Sequence, residues 1–152
     1  MKTLSDTACK QELLARLDGI GLDTPRRWGT MNAAQMICHV SDAFLGVMGD
    51  KAMELPRGFT LWPLMKGFVL YAPIKWPKGV PTRPEFDQRI GGTPPSQFED
   101  DMRTLWAAIE KFTAEPRSFT FRPHPMFGEM SEKDWMRWGY LHTDHHLRQF
   151  GQ

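Results

Sequence analysis

Apolar residues recur every three to four positions in four stretches of this chain, the spacing of amphipathic helices. The first predicts a helix from about Ser5 to Leu17, with Leu13, Leu14 and Leu17 on one face and Gly19, Gly21 and Pro25 ending it. The second starts near Asn32, where Asn32 and Gln35 form an Asn-x-x-Gln start signal, and continues to about Met48, with Gly49 beyond it. It is apolar on most sides, which predicts a central helix. The third follows Ser96-Gln-Phe-Glu99, read as a capping box after two prolines, and carries Phe98, Met102, Leu105, Trp106, Ile109 and Phe112 at helical spacing. The fourth opens at Ser131, three residues before Asp134, and runs to Phe150, with Gly151 as its stop.

Between the second and third helices lies a stretch rich in proline, glycine and aromatics, Pro56 to Pro95, with room for a short helix around Leu64 to Leu70. It is too long to join neighbouring antiparallel helices and suits the crossover of a four-helix bundle. The segment Phe119 to Phe127 could be extended, but Pro123 and Pro125 favour a loop. The expectation is an all-α, single-domain chain over residues 1–152, with no internal repeat.

Composition changes this picture little. Six Trp, ten Phe and ten Met point to a bulky, adaptable core. A formal net charge of +1 without a basic run argues against nucleic-acid binding. The most apolar stretch, Leu61 to Ile74, contains Lys66 and two prolines and is too short to span a bilayer. The N-terminus lacks the layout of a secretory signal, and Cys9 and Cys38 have no metal or redox spacing. Two free thiols suit a reducing compartment, so a cytoplasmic location is expected.

The candidate chemistry lies in the histidines. His142 and His146 are four residues apart on the last helix and lie on one side of it, one turn apart. With Met136, Gly139, Tyr140, Thr143, Leu147 and Phe150 as the core face, His146 falls roughly 70° and His142 roughly 110° from its centre. His145, at roughly 170°, is expected to face solvent. The pair is either polar boundary surface or two ligands of a sheltered, open metal site. No Glu follows His142, which excludes the His-Glu-x-x-His metalloprotease. His39 shares a narrow polar strip of the second helix with Gln35, Asp42 and Gly46. It is either a third metal ligand or a hydrogen-bonded core histidine, with Asp42 as the obvious partner. Cys38 points about 100° away from His39 and reads as packed. His124, in His-Pro-Met-Phe-Gly, reads as a loop anchor, and Asp144 with Arg148 as an exposed helix pair.

The stretch His142-Thr-Asp-His-His146-Leu-Arg-Gln149-Phe resembles the last helix of the DinB-like superfamily, in which His-x3-His is followed closely by Arg and Gln. Here Leu147 and Arg148 intervene before Gln149, a small shift of register. Trp28-Gly-Thr-Met-Asn-Ala-Ala-Gln-Met-Ile-Cys-His39 resembles the family's second helix, which supplies the first ligand. With His124-Pro-Met-Phe-Gly128, these segments look like an uncharacterised branch of that superfamily, and the likeness runs over nearly the whole chain. It implies a four-helix bundle in which His39, His142 and His146 hold a divalent metal at one end of a cleft.

Family members include metal-dependent thiol transferases and thiol-dependent isomerases. The implied function is therefore transfer of a low-molecular-weight thiol to a small-molecule electrophile. Gln35, Asp42 and Gln149 are candidates for supporting the ligands or orienting substrate, and the Trp- and Phe-rich crossover is expected to wall the pocket. Three imidazoles suit zinc, nickel, iron or copper. A metal-dependent hydrolase would use the same ligands. A third reading is a non-catalytic stress-related or ligand-binding bundle, which could be a homodimer, with structural histidines.

Overall fold

The computed structural model describes residues 1–54 and 62–152, with side chains outside 55–64. Among the described residues the chain is all-helical, with five α-helices and no strand. These are α1 (Thr7–Asp18), α2 (Ala33–Met48), α3 (Trp62–Tyr71), α4 (Phe98–Thr113) and α5 (Glu132–Gln149). A single 3-10 turn, Pro84–Phe86, lies between α3 and α4. The first part of the expected crossover, Pro56 to Leu61, lies outside the described residues. The short helix expected near Leu64 to Leu70 is α3, which starts earlier. No helix among the described residues is long and apolar enough to cross a membrane.

The start signals explain where most helices begin. Asp6 caps α1 by accepting from the Cys9 amide. Asn32 and Gln35 close a full capping box on α2, as do Ser131 and Asp134 on α5. The box expected at Ser96 and Glu99 does not form. Helix α4 begins one residue later, with Gln97 as an uncapped N-cap. The reason is competition: the Asp101 carboxylate reaches back and takes both the Ser96 amide (2.8 Å) and its hydroxyl (2.7 Å).

Helix α2 is central. All but Gln35 and Leu45 of its 16 residues are buried. It packs against α4 and α5, while α1 and α3 each pack on α5. Phe44 of α2 meets Phe112 of α4 and Trp138 of α5 edge to face, with ring centroids 4.8 and 5.7 Å apart. Gly139 makes this approach possible: a Cβ there would lie 2.6 Å from Leu4 Cδ1 and 3.2 Å from Phe44 and Phe112.

Polar ties hold the outer pieces to α5. Tyr71 donates to Asp134 (2.6 Å), Lys66 pairs with the same carboxylate (3.1 Å), and Arg137 donates to the Leu70 carbonyl (2.9 Å). Burial alone would raise the Asp134 carboxyl, but the donors from Tyr71, Lys66 and Ser131 outweigh it and hold it at about 2. Asp144 and Arg148, expected as an exposed pair, are half-buried instead, because Arg16 of α1 also reaches Asp144 at 2.9 Å.

Candidate metal centre

Two buried helices bring the three expected histidines together. One ring nitrogen each from His39 of α2 and His142 and His146 of α5 lie within 4.8 Å of one another. The rings meet edge to face, with centroids 4.7 Å apart for His39 and His146, 4.9 Å for His142 and His146, and 5.4 Å for His39 and His142. His142 also stacks on Trp138, centroids 5.0 Å apart and planes 16° from parallel.

Each ring is fixed from behind, or conspicuously is not. His39 Nδ1 lies 2.9 Å from the Phe86 carbonyl, which only accepts, so Nδ1 carries the proton and Nε2 the lone pair. His146 Nδ1 lies 3.0 Å from Gln149 Oε1. Gln149 in turn donates from Nε2 to the Trp28 carbonyl (2.9 Å), which turns its oxygen toward the imidazole. Gly29 has a φ of 81° and lies so close to Gln149 that a Cβ would collide with Nε2, so this contact requires glycine twice over. His142 Nδ1 is buried and has no partner among the described residues.

A metal site needs neutral imidazoles oriented by acceptors behind the ring, and two of the three rings are so held. Burial lowers His39, opposed by the Phe86 carbonyl. Burial, then the neighbouring imidazoles, pushes His142 well below the ordinary histidine value. His146 is lowered likewise, by burial and then by His39. All three shifts favour the neutral imidazole, the form that coordinates.

The other expected site residues fare differently. Gln149 reaches the cluster, meeting His146 as described above. Gln35 does not reach the site, because its side chain accepts from the Asn32 amide in the cap of α2 (3.0 Å). Asp42 is not the partner of His39. Its carboxylate accepts from the Thr93 amide (2.7 Å) and hydroxyl (2.6 Å) and from Gln88 (3.3 Å), fastening the segment before α4 onto α2. Cys38 is packed as expected, and burial raises its thiol to about 12, with Asp101 adding to the effect.

The description "Protein of unknown function (DUF1569)" matches residues 3–152. The chain belongs to the DUF1569 family. No curated protein and no solved structure matches it.

In this DUF1569 protein the histidine cluster lies in the wall of a cavity of about 270 Å³. All five histidines of the chain line it. His124 is the expected loop anchor, its Nδ1 accepting from the amides of Met126 (3.1 Å) and Phe127 (3.2 Å), but its ring also borders the cavity. Burial first, then Arg83, pushes it down to about 3. His145 corrects the expectation of a solvent-facing side chain. It is half-buried, its Nδ1 is enclosed without a partner among the described residues, and it lies against Trp28 and Trp76 with centroids 6.1 and 6.2 Å away. The segments carrying these two tryptophans cover the flank of α5 that helical phase alone leaves open. The carbonyls of Phe86 and Trp28 also serve the site, and no side-chain pattern could have signalled them because the groups are backbone.

Proposed function

We propose that this protein is a DinB-like, metal-binding bundle that transfers a low-molecular-weight thiol to a small-molecule electrophile. His39, His142 and His146 hold a divalent transition metal in this reading: zinc, nickel or iron. Helices α1, α2, α4 and α5 are the four helices of the bundle. The connection from α2 to α4 is its crossover, carrying α3 and the outer wall of the cavity. Free Cys9 and Cys38 suit a cytoplasmic location.

The observation that carries the reading is the convergence of three neutral imidazole nitrogens within 4.8 Å at the wall of an apolar cavity. When bound, a divalent cation supplies the positive charge that lowers the pKa of a thiol, and neutral ligands leave that charge undiminished. The chain's own residues do the rest. The Phe86 carbonyl and Gln149 orient two ligand rings, and Trp138 holds the third by stacking. Trp76, Val69 and Met126 keep water from the electrophile's side of the site. The transfer forms one carbon–sulfur bond. The thiol proton passes to solvent, and the leaving group departs with the electron pair of the bond that breaks.

The test is elemental analysis of protein purified without a histidine tag, followed by turnover of an alkyl or aryl halide with and without a thiol. Stoichiometric metal with thiol-dependent turnover supports the reading. Turnover that needs no thiol makes the protein a hydrolase on the same ligands. Absence of metal, with unchanged stability on adding it, makes the histidines structural and the protein a non-catalytic bundle.

A further inference from the structure

The cavity next to the histidines has a character of its own. Its walls are Ala43 and Val47 of α2, Val69 of α3, Trp76, Phe86 and Met126. Among the described residues Arg83 is the one permanently charged side chain in the lining. Its charge is already matched, because its guanidinium meets the Glu85 carboxylate at 2.7 Å through both Nε and one terminal nitrogen. A second hydrogen bond ties it to the Glu54 carbonyl (2.6 Å). Among the described residues of the lining, no permanent positive charge is left unmatched.

We infer that the cavity takes the uncharged, apolar body of a small electrophile, a molecule of one aromatic ring or its aliphatic equivalent with a few further atoms. The inference rests on the thiol-transfer reading for the word electrophile, but the cavity's preference for a neutral, apolar occupant stands on the lining alone.

Three physical arguments support it. The first is size. An apolar protein cavity of about 150 Å³ holds benzene, and drug-sized pockets run from roughly 300 to 1,000 Å³. At about 270 Å³ this cavity has room for a substituted ring and little more. The second is desolvation. A carboxylate or ammonium placed among Val47, Val69 and Phe86 would lose its water and meet no unpaired counter-charge among the described lining residues. The third is shape. Trp76 tilts over His142 and His145, centroids 6.4 and 6.2 Å away, and presents a broad aromatic wall beside the cluster.

Toluene and benzoate test this, being close in size and different in charge. Their binding to stripped protein and to zinc-loaded protein at pH 8 is followed by tryptophan fluorescence and by NMR chemical shifts. Toluene should bind both forms, and benzoate should bind the stripped form at least about tenfold more weakly, for the desolvation reason given. Val69→Trp fills the cavity and should weaken toluene binding about tenfold or more while zinc uptake is retained. Val80→Asp does the same from the mouth, where Val80 is 55% exposed and its replacement does not endanger folding. Benzoate binding to the stripped protein as tightly as toluene, or toluene binding unchanged in both variants, would overturn the inference. Zinc uptake with no toluene binding overturns the substrate class alone. Toluene binding with no zinc uptake overturns the metal reading and upholds the apolar site.

Discussion

Two of the three clustered histidines have an acceptor behind the ring, the Phe86 carbonyl for His39 and Gln149 for His146. Gln149 is the clearest case, since its Oε1 accepts from His146 Nδ1 at 3.0 Å while its amide nitrogen is held by the Trp28 carbonyl. Gln149→Leu removes the acceptor and frees the ring to rotate or change tautomer. Metal affinity, measured by competition with a chelating dye, should fall about 10- to 100-fold, the usual effect of losing such a support. His145→Ala should leave metal affinity within about threefold of wild type, since His145 lies outside the set of nitrogens that converge. Helical phase put His142 and His146 on the same side of α5 and was right about them. It misjudged His145 because phase assumes one buried face, whereas Trp28 and Trp76 come from distant segments to cover a second one. Gln35 and Asp42 share the polar strip of α2 with His39, yet their partners are local or lie in the segment before α4. A strip of polar positions shows that polar groups are needed, not which of them meet the ligand.

At the scale of elements, α2 and α5 matter most, because they supply all three clustered imidazoles and because Gly139 leaves room for Phe44 of α2. Gly139→Val should destabilise the protein by about 1–3 kcal/mol, read from the shift in urea midpoint, because the added methyls meet Phe44 and Phe112. Helix position was largely legible, since periodic apolar residues and Asn32, Gln35, Ser131 and Asp134 mark α2 and α5 directly. The start of α4 was less so. Ser96, Glu99 and Asp101 are all competent capping groups, and only the folded arrangement shows that Asp101 takes the Ser96 hydroxyl. Helix α3 was short and interrupted by Lys66 and Gly67 in sequence. Its place is fixed by Tyr71, Lys66 and Arg137 reaching partners on α5 and α3, which are long-range contacts no local pattern encodes.

Over the whole molecule, the five histidines give stability a definite pH dependence. Burial is the largest cause of each downward shift. Between the unfolded value near 6.5 and the lower folded values, the unfolded chain binds more protons than the folded one, so stability rises with pH across that window. Metal-free protein should thus lose stability as pH falls below about 6.5, with each histidine still unprotonated in the fold contributing up to about 1.4 kcal/mol per pH unit. For His124 the window extends down to about 3. Urea denaturation at pH 8, 6 and 5 measures this, and a flat profile would mean that the rings are more accessible to protons than their burial indicates. The all-helical class was legible in the chain's periodicity. The cavity was legible only in part: the crossover was expected to wall it and does, through Val69, Trp76 and Phe86, but the share of α2 and of the loop holding His124 comes from packing that no local pattern encodes.

The central claim is that His39, His142 and His146 act together as one metal site. Calorimetric titration of stripped wild-type protein and His39→Ala with Zn²⁺ at pH 7.5 tests it most directly. His39 is separated by about a hundred residues from the other two, so a site that needs it must be built by the fold. The account predicts one ion per chain in the wild type, accompanied by a rise in melting temperature as the folded state gains a ligand. In His39→Ala it predicts an affinity at least about 100-fold lower, with the helical circular dichroism signal unchanged. Equal zinc affinity and an equal thermal shift in the two proteins would contradict it.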